Sequence, residues 1–578
     1  MTLLCLIFFS IIGIGNVSYG TLEPEAIPPI GRIRGSIFRS RLGKKIYSFR
    51  GVRYAEPPTG ERRFQVAVPA ADWKHVFDAS KEGPGCPNLD TSQPSSEDCL
   101  RLNVYTKKLP SCHQNVSRPV LVFFHPGGFY SFSGQSSYWG PQYLLDKDVV
   151  LVTVNYRLGS LGFLSTGDSL APGNLGLKDQ VVALRWVQRN IAAFGGDPNC
   201  VTISGCSVGG LSTMLHILSP MSKNLFHRAI VMSGSLLTAE PYPTQQIDLA
   251  KKQARLLGCP TDSSQAILSC LRSKPVVNFT NTLSNFTVNY YCDPIIIWKP
   301  VVESKFPGVE QFLTAQPVDL IKQGKFQQVP AIFGITKDEF GGVVVGDNYY
   351  RNMSENWYHV APISFIYERD TSRSKYISTE LRQFYFNGQE ITPAKNDGLA
   401  HVCGFVKAVS PQFLRFTIYR VNISQIYADS VIIFPMYRGA KLIAENSRNS
   451  VYFYKFAYQG RYSFTMWNST TPYGVVHQDD LQYLFFIGSL FPYFDKNAPE
   501  IPMVELYTSM WSNFMQTGEP VPKRGPYKHI KWDRFVPQQN NYLDITLNPT
   551  MKTGIYPDRM QEWEKLFPLS SVSQTTRN

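Results

Sequence analysis

Gly205-Cys206-Ser207-Val208-Gly209-Gly210 sets a serine between glycines in a G-x-S-x-G pattern. This spacing suits a sharp strand-to-helix turn that holds a serine hydroxyl out above a sheet edge as a nucleophile. The first turn of the following helix would favour the negative charge that develops in acyl transfer. A tetrahedral oxyanion needs N–H donors, and His125-Pro126-Gly127-Gly128-Phe129 offers two glycines where backbone can approach closely. Pro126 has no N–H, so the expected donors are the amides of Gly127 and Gly128, with that of Val208 as the third. The alternative for this stretch is an ordinary β-turn. A serine nucleophile also needs a base and an acid to orient it, both expected later in the chain. The candidates are His477, in the stretch YGVVHQDD from Tyr473 to Asp480, and Glu339, in GITKDEFG from Gly334 to Gly341. Together these residue types could carry out nucleophilic acyl transfer, although spacing alone does not bring them into contact.

Such residues must be held by a sheet, and the flanking sequence supplies one. Val120 to Phe124 (VLVFF) and Val149 to Tyr156 (VVLVTVNY) are apolar on both faces and read as fully buried strands. Leu177, Val181, Leu184, Val187 and Ile191 recur at helical spacing between Gly176 and Gly195, and Gly195-Gly196-Asp197-Pro198 should end that helix. A short strand from Val201 to Ser204 is expected next, then the glycine-rich turn, then a helix from about Val208 to Leu218. A strand from Ala331 to Ile335 precedes Glu339, and His477 lies in a loop-like stretch before the aromatic run Tyr483 to Phe486. Strand, crossover helix and strand in succession imply a mostly parallel sheet. With no internal repeat and no low-complexity linker, the chain reads as one large α/β domain.

Of 578 residues, 43% are hydrophobic, which excludes disordered and collagen-like chains. The formal charge is +13, but the lysines and arginines are scattered and form no footprint for nucleic acid. No run of about 18 apolar residues occurs, so a membrane span is not expected. The first twenty residues, with an apolar run from Leu3 to Ile14, read as a secretory leader cut after Gly20. Its lack of Lys and Arg is atypical, and the polar C-terminus argues against a lipid-anchor signal. Sequons at Asn115, Asn278, Asn285, Asn352, Asn422 and Asn468 agree with export. So do Cys86 with Cys99 and Cys259 with Cys270, close pairs that an oxidising compartment would permit to bond.

At this point the residues carry a family resemblance. The chain resembles the type-B carboxylesterase and cholinesterase family of the α/β-hydrolase fold, in particular the secreted esterases of insects. The similarity covers nearly all of residues 21–578. It rests on GVRYAEPPTGERRF (Gly51 to Phe64), SEDCLRLNVY (Ser96 to Tyr105), HPGGF, GNLGLKDQVVALRWVQRNIAAFGGDP, GCSVGG, KDEFG and GVVHQDDLQYLF. The resemblance implies one catalytic domain in which a large, mostly parallel sheet is flanked by helices. It implies Ser207 as nucleophile, Glu339 as triad acid, His477 as general base, and an oxyanion hole at Gly127, Gly128 and Val208. It further implies disulfides Cys86–Cys99 and Cys259–Cys270, ion pairs Arg63–Glu97 and Arg157–Asp179, and a supporting role for Ser233 beside the triad. The expected substrate is a small-molecule ester, with no cofactor, metal, nucleic acid or membrane anchor required. Neither the natural ester nor the oligomeric state follows from the sequence.

The chain also departs from the family pattern. Cys206 and Val208 stand where Glu and Ala are usual. Cys206 reads as a small buried residue rather than a redox switch, and the branched Val208 is expected to crowd the acyl pocket. The loop from Cys86 to Cys99 lacks the tryptophan with which cholinesterases bind choline, which argues against that activity. Relatives are expected to run from GLAH (Gly398 to His401) almost directly into IYADSVIIFP (Ile426 to Pro435). Here Val402 to Gln425 intervenes, opening with valine (codon GTN) and closing on glutamine, for which CAG is one of the two codons, which suits the ends of a retained intron. A catalytically silent adhesion or binding protein is the competing class, but such relatives commonly lose a triad residue and carry an anchor. An esterase dedicated to a hormone or pheromone is the narrower alternative.

Overall fold

The computed structural model describes residues 23–90, 92–111, 116–234, 236–288, 293–341, 347–391, 421–465 and 474–569. The leader, the sequons at Asn115 and Asn468, and residues 402–420 of the unusual segment lie outside them. In chain order the strands begin with β1 (Glu25–Ala26), β2 (Ile33–Arg34), β3 (Ser36–Arg39), β4 (Lys45–Arg53) and β5 (Phe77–Asp78). They continue with β6 (Arg101–Thr106), β7 (Arg118–Phe124), β8 (Val150–Val154), β9 (Gly196–Cys206) and β10 (Arg228–Met232). The last are β11 (Ala331–Thr336), β12 (Val451–Phe456), β13 (Asn541–Ile545) and β14 (Thr550–Thr553). Eleven form one sheet in the order β14-β13-β12-β11-β10-β9-β7-β8-β6-β4-β3, and β1, β2 and β5 form a small second sheet. From β13 to β8 every neighbouring pair is parallel, and only the outer strands run antiparallel.

The doubly apolar strands are explained by what covers them. Val120, Val122 and Phe124 of β7 enter one core, while Leu121 and Phe123 enter the other, as the period-two pleat requires. Helices α2 (Leu175–Asn190) and α3 (Val208–Leu218), which follow α1 (Gly159–Phe163), fill the first core. The helix Ile501–Thr517 fills the second with Met503, Tyr507, Trp511 and Phe514. The sheet is therefore sealed on both faces, the arrangement that a parallel sheet demands.

The expected elements are present, but β8 is shorter than Val149 to Tyr156 and β9 is longer at both ends than Val201 to Ser204. Helix α2 stops at Asn190, a 3-10 turn carries on to Phe194, and Gly195 turns the chain at φ +79. Instead of a loop up to Val201, β9 starts at Gly196. Gly196 pairs with Arg118, and after a register break Val201 pairs with Val120. The strand thus absorbs the polar Asp197-Pro198-Asn199 as an irregularity.

Both expected disulfides are formed, Cys86–Cys99 and Cys259–Cys270. Arg63 reaches Glu97 at 2.5 Å, and Arg157 reaches Asp179 at 2.6 Å, with side chains at most 12% exposed. A third buried pair went unforeseen: Lys178 Nζ lies 2.8 Å from Glu303 Oε1, with side chains 0% and 1% exposed. Glu303 also accepts the N–H groups of Phe312 and Leu313, and burial raises its pKa. Among the described residues, no helix is long and apolar enough to cross a membrane.

Candidate active site

Ser207 stands at the junction of β9 and α3 with φ 57 and ψ −125, a conformation few non-glycine residues adopt. Its N–H donates to Met232 O at the end of β10, and its carbonyl accepts from Leu211 N–H in α3, so both neighbours hold the turn. The glycines permit this by close approach. A Cβ on Gly205 would lie 2.3 Å from the Gly209 backbone, and one on Gly209 would lie 2.1 Å from Phe124 O. The elbow helix is thus seated directly on the end of β7, where the His125–Phe129 stretch begins.

That stretch folds back on itself. Tyr130 and Ser131 N–H groups both donate to Gly127 O, and Gly127 and Gly128 have φ of 115 and 61. His125 is sealed beneath, stacked on Tyr156 with ring centres 4.4 Å apart, and the Tyr156 hydroxyl donates to His125 O. Burial lowers the His125 pKa to about 4, so this imidazole is neutral and serves as packing. Among the described residues, the N–H groups of Gly127, Gly128 and Val208 donate to no backbone carbonyl. The Val208 side chain is buried in the core beneath α3.

Glu339 and His477, 138 positions apart in the chain, meet: His477 Nδ1 is 2.6 Å from Glu339 Oε2. The Glu339 side chain is 0% exposed and that of His477 13%, so only the imidazole reaches toward the surface. The other carboxylate oxygen, Oε1, accepts the Ser233 hydroxyl at 2.5 Å and the Thr336 N–H at 2.9 Å. Phe340 lies flat on the His477 ring, 5.2 Å away at an interplanar angle of 14°.

Three acids near these residues drew no role from the sequence. Asp338 accepts the Val475 N–H and donates its own N–H to Val475 O, zipping the acid-bearing loop to the histidine-bearing one. Asp479 and Asp480 follow His477 by two and three positions and are buried. Asp480 takes the Tyr454 and Tyr507 hydroxyls at 2.9 and 3.0 Å, and burial raises its pKa to about 6. The available signal was two adjacent acids inside an otherwise apolar and aromatic stretch, since buried acids are rare unless bonded. Cys206 is fully buried in the second core, and burial, with Asp480 and Glu339 nearby, keeps its thiol protonated. A buried neutral thiol is inert.

Beside the His125–Phe129 stretch lies a pocket lined by Leu89, Tyr130, Leu158, Phe279, Leu283 and Trp298 among others. The ring of Tyr130 lies against Gly128, so the pocket adjoins the glycine pair.

The model of the carboxylesterase family matches residues 24–563. Esterase FE4 of Myzus persicae is 34% identical over 509 residues, covering 85% of this chain and 84% of that protein. Juvenile hormone esterase of Tribolium castaneum is 33% identical over 537 residues, covering 89% and 86%. Among solved structures, juvenile hormone esterase from Manduca sexta, with OTFP covalently attached, superimposes with a TM-score of 0.80. That pair is 28% identical, and the match covers 94% of this chain and 99% of the other.

Proposed function

Because the chain belongs to the carboxylesterase family and is a carboxylic ester hydrolase, we propose that it cleaves small-molecule esters through an acyl-enzyme on Ser207. His477 takes the hydroxyl proton as Ser207 Oγ attacks the ester carbonyl, and Glu339 holds the Nδ1–H of the imidazole. The amides of Gly127, Gly128 and Val208 receive the oxyanion, each such donor contributing about 3 kcal/mol to the transition state. His477 returns the proton to the departing alcohol. Water then attacks the acyl group with the same base and the same donors, restoring Ser207.

The observation that carries this reading is the His477–Glu339 contact, with Ser233 and Thr336 fixing the opposite oxygen of the acid. The strained elbow at Ser207 and the inward-folded glycine loop support it.

The export reading keeps its support. Of the sequons among the described residues, Asn285 is exposed and Asn278 and Asn352 are partly so, and two disulfides fit an oxidising compartment. The leader would end at Gly20, and residues 402–425 would derive from a retained intron. Sequencing of mature message across that junction tests the latter, and abundant message encoding the segment defeats it.

The test of mechanism is hydrolysis of p-nitrophenyl acetate by the purified protein beside its Ser207→Ala variant. Activity lost in the variant supports the serine mechanism. No activity in either folded protein would favour a binding role. A dedicated hormone esterase is the narrower reading, favoured by the juvenile hormone esterases among the relatives. Juvenile hormone turned over no faster than p-nitrophenyl acetate would count against it.

A further inference from the structure

We infer that Asp479 is a positioning residue whose carboxylate pins the turn bearing His477 and so sets where the imidazole stands; this rests on His477 being the base. Asp479 Oδ2 accepts the Val476 N–H and the Ser463 hydroxyl, each at 2.8 Å, and Oδ1 accepts the Phe464 N–H at 2.8 Å. These donors are Ser463 and Phe464 on one side and Val476 on the other, so one side chain ties two separate segments together. Val476 immediately precedes His477, and the Asp479 N–H closes the turn onto Val476 O. Gln478 inside the turn has φ 76, a conformation that surrounding contacts must hold in place. With Val475 N–H already bound by Asp338, two successive amides leading into His477 each end on a carboxylate.

The ionised carboxylate accepts all three donors most strongly, since protonation turns one oxygen into a donor and weakens what it accepts. Burial and the charge of Asp480 on the same turn push the Asp479 carboxyl up to about 8, while its three hydrogen bonds pull it down. Its other charged or titratable neighbours are Tyr483 on the next turn and the Arg461–Glu500 ion pair, whose arginine stands two residues before Ser463. The anchored form therefore gains population as pH rises through that value. The rate should climb with it, as a step at the upper end of the pH profile.

The experiment follows p-nitrophenyl acetate hydrolysis from pH 5.5 to 9.0 in the full-length protein and in Asp479→Asn, Asp479→Glu, Ser463→Ala and Ser207→Ala. Asp479→Asn is expected to lose at least about ten-fold in kcat at pH 8.5, with KM within about two-fold and the upper step gone. Asp479→Glu keeps the charge and should restore part of kcat and the step. Ser463→Ala removes one donor to the charged form, so its upper step should move to higher pH. An Asn variant within two-fold of wild type, or one that keeps both steps, overturns the proposal. If that variant does not fold, an unmoved upper step in Ser463→Ala overturns it instead. Activity surviving in Ser207→Ala would sink the serine mechanism itself, a distinct failure.

Discussion

Exchanging Glu339 for glutamine tests the proposed chemistry through an asymmetry that the structure supplies. Glu339 is 1% exposed, and its two oxygens have different partners. Oε1 faces two donors, Ser233 Oγ–H and Thr336 N–H, whereas Oε2 faces His477 Nδ1. A glutamine with its NH2 turned toward Thr336 would set two N–H groups against each other in a buried site, at about 1–3 kcal/mol. The carbonyl therefore keeps the Oε1 position, and the NH2 is driven opposite Nδ1. Nδ1 must then accept, which moves the ring proton to Nε2, the atom that has to receive the serine proton. The same exchange in a serine-protease triad lowers kcat by about 10⁴, equivalent to about 5.4 kcal/mol at 1.36 kcal/mol per decade. A fall of that order is expected in kcat for p-nitrophenyl acetate, with KM little changed and the near-UV circular dichroism intact. Adding Ser233→Ala should not rescue the rate, because Thr336 N–H still enforces the same amide orientation. A Glu339→Gln enzyme within about thirty-fold of wild type would refute the tautomer argument.

Two further outcomes follow from packing and charge. Lys178→Met leaves Glu303 buried without its cation, expected to cost about 3–5 kcal/mol, or about 3 °C in melting temperature for a chain of this size. Because the folded-state pKa of Glu303 is already raised and rises further without Lys178, the penalty should grow as pH increases and shrink toward pH 5; a penalty independent of pH would contradict this. Gly209→Ala places a Cβ 2.1 Å from Phe124 O and 2.9 Å from His125 O, which forces the elbow away from the oxyanion loop. A loss of about 10²–10³ in kcat is expected, and wild-type kinetics would show that the two segments are not rigidly coupled.

Local signals made the framework legible. The elbow helix lies where the glycines and apolar spacing put it, Val208 to Leu218, because its punctuation is local. Strand β9 starts earlier than Val201 because pairing with β7 overrides the turn preference of Gly196-Asp197-Pro198. His477 and Glu339 were named from motif and chain order, but their contact depends on β11 and β12 lying side by side, a long-range fact. Asp479, Asp480 and the Lys178–Glu303 pair were illegible as functional or structural groups. A charged residue in sequence looks solvated until tertiary packing shows what closes over it.

The parallel pairing of β11 with β12 has a consequence for how this gene can change. The chain leaves the sheet at Thr336 and returns at Val451 beside the same strand, with Ala331 opposite Val451. Glu339 lies just past the departure and His477 beyond the return, so the register of two strands, not the path between them, sets their separation. Closing a flexible excursion costs only about 0.6 kcal/mol for each doubling of its length. Residues 402–425 fall within that path. The strand pairing that brings Glu339 to His477 thus does not depend on the length of chain between positions 392 and 420.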